Sequence, residues 1–439
     1  MGRFSCFHAV AVAGASLAVL LAVGCGDSDD GTSPGGTTTT DDAGVPGDTT
    51  DSGGSTTEPD SGAHGGKDAG VATDSGPAPK AWSYHADPFG AVSVIGPVTA
   101  IDTASSKVLV AAATIGDGKE TTSVVRCNAN GSGCTTTDIS TGLSATNDHA
   151  QSIAVDAANA KVLVAVSDNA NGVRPALYRC NLDLTGCTFT DISASAGGDS
   201  ASATSIAVDS ANGKVLVATA KGNGDGGLFR CNLDATGCTY TVFSHVGYSN
   251  GLEPSIVVDA TNQKILVAAR DYTADDKLVL HRCAIDGTSC TPIDISAGAA
   301  ASTGDNPSAA IDSVAHKLLV VTRDHANGDR IALTRCELDG TACTRTDVSA
   351  GAGVSSGLSP SMALDPTNGT FVVATRDNSN AGKPALFRCK TDGTGCTYTK
   401  LDGASRPITF GAVSLAVAPT GDMAIADDIS NGIELATFH

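Results

Sequence analysis

The sequence predicts an all-β fold, a seven-bladed β-propeller of four-stranded antiparallel blades, and three observations carry that reading. A Cys-x6-Cys turn returns six times: Cys127 with Cys134, Cys180 with Cys187, Cys231 with Cys238, Cys283 with Cys290, Cys336 with Cys343, and Cys389 with Cys396. First cysteines lie 53, 51, 52, 53 and 53 residues apart, so one structural unit repeats along the chain. Each unit holds four short β-rich runs bounded by Gly, Asn or Asp, the pattern of a blade.

Taken in order, residues 1–25 read as a secretory signal: Arg3 supplies positive charge, and Ala9 to Val23 is an apolar run broken by Gly14 and Ser16. The run ends Leu21-Ala22-Val23-Gly24-Cys25, which resembles the lipobox of bacterial lipoproteins. That resemblance implies a diacylated Cys25 as the mature N-terminus. Gly26 follows where Asp would favour inner-membrane retention, so the same resemblance implies an outer-membrane protein of the bacterial cell envelope.

Residues 26–80 are Gly, Ser, Thr, Asp and Pro with almost nothing to bury, and read as a disordered acidic tether. Eleven of their side chains are Asp or Glu and two are Lys, so this stretch carries much of the formal net charge of −20. Such a balance excludes nucleic acid, whose phosphates need a basic partner surface.

Residues 81–439 hold the repeats. One full unit, Ser152 to Ser193, reads Ser-Ile-Ala-Val-Asp, a turn, Lys-Val-Leu-Val-Ala-Val-Ser, a loop, Pro-Ala-Leu-Tyr-Arg-Cys, the cysteine turn, and Thr-Phe-Thr-Asp-Ile-Ser. We label these runs strands A to D. A strands are expected to begin near Val98, Ser152, Ser205, Ser255, Ser308, Ser361 and Val413, which makes seven units. The last lacks strand D, whereas Trp82 to Asp87 precedes the first A strand in the position of a D strand. The two ends are therefore expected to share blade 7 and close the ring, leaving no open sheet edge.

Each cysteine pair brackets a hairpin, within disulfide reach. Closing so short a loop is worth about 2.5 kcal/mol in the chain-entropy model. Six disulfides require an oxidising compartment, which an export signal supplies.

Pro360-Ser-Met-Ala-Leu-Asp365, Arg376-Asp377 and the hairpin string Asp392-Gly-Thr-Gly-Cys-Thr-Tyr398 resemble the Asp-box (BNR) repeats of sialidase-like propellers. The resemblance covers 82–439 and implies the fold. The Arg-Ile-Pro motif of true sialidases is absent, so their catalytic pocket is not carried over, and no catalytic residue is assigned.

Candidate ligand-binding residues are Arg270, Asp271, Arg323, Asp324, Arg376 and Asp377, which recur at one repeat position in blades 4 to 6, together with Asp168 in blade 2. The arginines form either a row able to clamp a carboxylate or a set of exposed ion pairs with the Asp that follows each. Arg179, Arg230, Arg282, Arg335 and Arg388 each immediately precede a cysteine, and this regular recurrence from blade to blade reads as structural. No metal or cofactor motif occurs; Asp-, Asn- and Arg-bearing B–C loops suit sugar hydroxyls, a carboxylate or a loosely bound Ca²⁺. The expected protein is a monomer on a membrane anchor, a non-enzymatic binding or adhesion module for a glycan or protein ligand. The alternatives are a sialidase-like glycoside hydrolase and a structural surface protein.

Overall fold

The computed structural model describes residues 81–439, apart from 91–92, 117–118, 141–147, 169–171, 195–200, 222–224, 245–250, 300–301, 350–351, 354–355, 402, 404–407 and 430–431. The leader, Cys25 and the tether lie outside the described residues.

Seven four-stranded antiparallel sheets follow one another, and in blades 1 to 6 the strands pair in chain order, A-B-C-D. Blade 5, for example, is Asp305–Asp312, Lys317–Asp324, Arg330–Glu337 and Thr344–Asp347. Blade 7 is assembled from both chain ends, as its composition predicts. Trp82–Ala86 lies beside Gly432–Phe438, followed by Met423–Ile429 and Ile408–Val417. The register pairs Trp82 with Phe438 and Ala86 with Glu434, the Trp82 and Phe438 rings stand 5.3 Å apart, and Asp87 N–H donates to Ile433 O at 2.8 Å.

Strand B of each blade is covered on both faces by neighbouring blades, which is why its residues are apolar without alternation. Val162, Leu163, Val164, Ala165 and Val166 are all 0–1% exposed. Alanine recurs at the strand centre, as Ala111, Ala165, Ala218, Ala268 and Ala374, so sheets approach closely.

A strands begin earlier than expected, at Ser93, Asp148, Ala201, Leu252, Asp305, Leu358 and Ile408. Between each start and the regular stretch lies a register shift, for example between Asp305 and Ser308. Such a β-bulge interrupts the period-2 pattern from which the start was read. The A strands of neighbouring blades run side by side around the axis, tied by a belt of hydroxyls. The N–H groups of Ile206, Ile256, Ala309, Met362 and Leu415 donate to Oγ of Ser152, Ser205, Ser255, Ser308 and Ser361 in the preceding blade, at 3.0–3.2 Å. Thr99 N–H donates to Ser414 Oγ at 2.8 Å, joining blade 7 to blade 1.

All six expected disulfides are present, with Cα–Cα distances of 3.9–4.1 Å. Cys127 is bonded to Cys134, Cys180 to Cys187 and Cys231 to Cys238. Cys283 is bonded to Cys290, Cys336 to Cys343 and Cys389 to Cys396. In five of the six bonds the two ends differ in surroundings. The first cysteine, on strand C, is buried between blades, whereas Cys134, Cys187, Cys290, Cys343 and Cys396 are half-buried at the turn and Cys238 alone is buried. The bonds thus fasten the exposed end of each hairpin to the core. Inside each turn an acid organises the backbone. Asp392 Oδ1 accepts from Thr394 N–H at 2.9 Å and from its hydroxyl at 2.6 Å, and Asp183, Asp234, Asp286 and Asp339 repeat the arrangement. These Thr hydrogen bonds hold the five carboxyls below their ordinary range, helped by Arg126, Arg179, Arg230, Arg282 and Arg335, each from the preceding blade. The arginine before each first cysteine is thus an inter-blade electrostatic contact, as its regular recurrence predicts. Arg388, with no cysteine turn in blade 7 to face, pairs instead with buried Asp365.

Candidate functional site

Strand direction places A–B and C–D turns on one face of the ring, the disulfide face, and B–C and D–A loops on the other. Arg270, Arg323 and Arg376 end the B strands of blades 4, 5 and 6 on that second face. In each case the next residue caps a single 3₁₀ turn that forms the B–C loop. Asp271 accepts from Thr273 and Ala274 N–H, Asp324 from Asn327 N–H, and Asp377 from Ser379 N–H. These carboxylates stiffen the loops. Asp324 also receives Arg345 at 3.0 Å, and Asp377 the Tyr398 hydroxyl. Asp168 ends strand B of blade 2, buried, opposite Arg174 on strand C.

The arginines therefore do not pair with the Asp that follows them; successive strand residues point to opposite faces. Their partners lie six residues on. Arg270 Nε meets Asp276 Oδ1 at 2.7 Å and Asp305 Oδ1 at 3.2 Å, with Glu253 Oε1 3.6 Å from its Nη1. Burial opposes its charge, but those carboxylates outweigh burial and hold the guanidinium more firmly protonated. Arg323 Nε meets Asp329 Oδ1 at 2.8 Å, and His325 Nδ1 shares that oxygen at 2.7 Å. Burial pulls the Asp329 carboxyl up, but Arg323 and His325 together bring it below its ordinary value.

Blade 6 breaks the series. Gly382 stands where Asp276 and Asp329 stand, and Arg376 has no ion pair and no hydrogen bond at its buried Nε among the described residues. The row is thus graded: Arg270 is neutralised by three carboxylates, Arg323 by one, Arg376 by none.

Two further features had no motif to announce them. Tyr272 is 62% exposed on the blade 4 loop, its ring 5.9 Å from the Arg270 guanidinium carbon. Glu253, Asn306 and Ser359, at the bulges that open the A strands of the same three blades, line an open depression of about 260 Å³ at the mouth of the axis together with Pro254, Pro307 and Pro360. Each of the three has a left-handed backbone, φ +50°, +49° and +49°, directly before proline. For residues bearing a Cβ that conformation costs about 1–2 kcal/mol each. Asn306 N–H donates to Glu253 Oε2 at 2.7 Å. Burial raises the Glu253 carboxyl, against the lowering effect of that N–H and of Arg270. Aligning the repeats position by position would have exposed Gly382 and the X-Pro pairs; the geometry that joins them needed the fold.

Among the described residues, no group of three or more His, Cys, Asp or Glu is placed to hold a metal ion, and no helix is long and apolar enough to cross a membrane.

No protein-family model and no curated protein matches the chain. Solved structures do. The chain is similar to the BP39L lectin from Burkholderia pseudomallei, at 12% identity over 80% of this chain and 96% of that one, with a TM-score of 0.54. It is similar to Raptor from Chaetomium thermophilum at 10% identity and a TM-score of 0.51, over 79% of this chain but only 29% of that much longer one. The β-propeller domain of the Trilobed protease from Pyrococcus furiosus also matches, at 9% identity over 79% of this chain and 95% of that one, with a TM-score of 0.46. At such identities the likeness is one of fold, and the fold is a seven-bladed β-propeller pinned by six disulfides.

Proposed function

We propose that this chain is an exported, lipid-anchored β-propeller that works as a monomeric, non-enzymatic binding or adhesion module, taking a glycan or protein ligand on the face of the B–C and D–A loops. The observation that carries the reading is Arg376, a half-buried guanidinium stripped of the acidic partner that its two equivalents keep. Loops rigidified by capped 3₁₀ turns on a disulfide-pinned scaffold are suited to recognition. Exposed Tyr272 adds an aromatic surface of the kind sugars stack on. The disulfides support maturation outside the cytoplasm, and the lipobox-like sequence ending at Cys25 supports the anchor.

Glycan arrays probed with the Cys25→Ser chain test the binding reading. Saturable binding is expected, and Arg376→Ala should weaken it at least tenfold, about 1.4 kcal/mol. Binding that is unchanged in Arg376→Ala, or in the triple Ala variant of Arg270, Arg323 and Arg376, would sink it. For the anchor, wild type should partition into detergent and Cys25→Ser into water, since acyl chains supply the membrane affinity; equal partitioning would exclude lipidation.

A further inference from the structure

We infer that the mouth of the axis over blades 4 to 6 is a subsite for one neutral sugar ring, whose hydroxyls are read by Glu253, Asn306 and Ser359 above a floor of Pro254, Pro307 and Pro360. This rests on the reading of the loop face as the binding face and gives it a location and a ligand class.

The first support is strain that the fold does not require. Every blade shifts register at the start of strand A, and blades 2 and 3 do so with one extra residue between Ala150 and Ser152 and between Ala201 and Ala203. Neither has a proline at that point, and blade 1 precedes its Pro97 with Gly96, which carries no Cβ. Blades 4, 5 and 6 instead set Glu, Asn and Ser in the left-handed conformation before a proline. Proline itself resists helical backbone in the residue before it. The effect in the ring is to bring three half-buried polar side chains from consecutive blades to one open depression over three buried prolines.

The second support is the donor and acceptor set. A carboxylate, an amide and a hydroxyl together offer acceptors and donors in a small space, which matches vicinal hydroxyls. Charge narrows the choice to a neutral ligand. An anion would meet the Glu253 carboxylate, and a cation would meet Arg270 behind it, 3.6 Å from Glu253 Oε1. Glu253 is held in place by the Asn306 N–H, so its remaining acceptor capacity is oriented in advance. The third support is shape: a shallow, open depression of about 260 Å³, below the roughly 300 Å³ at which enclosing pockets begin, can take one face of a single ring and leave the other in solvent. The prolines give the apolar face of a sugar ring something to lie on.

The same strain supplies the test. Asn306→Gly and Ser359→Gly remove the side chains while keeping, and relaxing, the left-handed backbone and its N–H. Saturation-transfer NMR on the Cys25→Ser chain, with a panel of free neutral hexoses, 6-deoxyhexoses and N-acetylhexosamines, should show at least one sugar binding saturably in the millimolar range. The double Gly variant should lose that binding at least tenfold while melting at or above the wild-type temperature, and Glu253→Gln should weaken it without unfolding. A panel with no saturable sugar, or binding that survives in the double Gly variant, overturns the inference. Either result leaves the broader reading to be judged separately, by whether Arg376→Ala abolishes binding on the glycan array.

Discussion

Arg270, Arg323 and Arg376 occupy one position in three blades, yet what each can do is decided by a residue six places further on. Asp276 and Asp329 adopt φ +60° and +59°, and Gly382 adopts +76°, so an acid is tolerated at that turn in two sister blades. A Cβ built on Gly382 would stand 3.4 Å from Arg376 Nε, at ordinary contact distance. Gly382→Asp should therefore re-create the pairing of blades 4 and 5, leave the melting temperature level or higher, and reduce ligand binding as much as Arg376→Ala does. A variant that binds like wild type would show that the unpaired guanidinium is irrelevant. Arg270→Ala should behave oppositely, because it strands Glu253, Asp276 and Asp305 without their cation. We expect a loss of about 1–3 kcal/mol in a urea melt. The residue types at this site were legible in the sequence; which arginine stood without a partner was not, since Arg-Asp neighbours in the chain point to opposite faces of a strand.

Blade 7 departs from its six sisters at one pair of positions. Where the matching positions on strands B and C of the others carry uncharged residues, as Thr375 opposite Ala385 and Thr322 opposite Ala332, it opposes Asp427 to Glu434. Both carboxyls are 2% exposed, on the side packed against Leu386, Leu401, Val413 and Leu415, with Arg376 further along the facing strand of blade 6 and Asp428 turned to the other side. Burial, then the neighbouring Glu434 and Asp428, push the Asp427 carboxyl well above its ordinary value. The folded protein thus holds this proton more tightly than the unfolded chain does. Stability from the protonated Asp427 carboxyl is complete below the unfolded carboxyl value of about 3.9, and is lost as pH rises through the raised folded value. The exposed turn acids, with lowered values, act in the reverse sense, their contribution being lost as pH falls. The difference between wild type and the double variant Asp427→Ala, Glu434→Leu isolates the first effect. That variant should melt about 2 °C or more above wild type at pH 7, with the gap closing toward pH 4; parallel curves across this range would refute the assignment. A sequence shows two acids in a strand-like run, but only pairing register shows that they face one another across the closing blade.

At the scale of the whole ring, the sequence carried the architecture well because one turn motif fixes the period, and because the missing D strand and the surplus N-terminal strand complement each other. It carried the bulges poorly, since an extra residue in a strand leaves no periodic trace. Removing Trp82–Ala86 takes away five register pairs and leaves Gly432–Phe438 as an open edge. That deletion should lower the melting temperature markedly and promote association, which light scattering during the melt would detect; an unchanged melt and a monodisperse sample would show that the segment is dispensable. The closing strand also has a mechanical meaning. It enters on the disulfide face, where Ala81 N–H meets His439 O at 3.2 Å, and runs toward the loop face. A tension applied between a ligand held on the loop face and the chain preceding residue 81 would run along this strand, not across it. Its pairs with Gly432–Phe438 would then be loaded in shear, all five at once, instead of being unzipped one after another. Closing the ring with the first strand thus sets its seam parallel to the pull on a propeller held at once by its loop face and by the chain before residue 81.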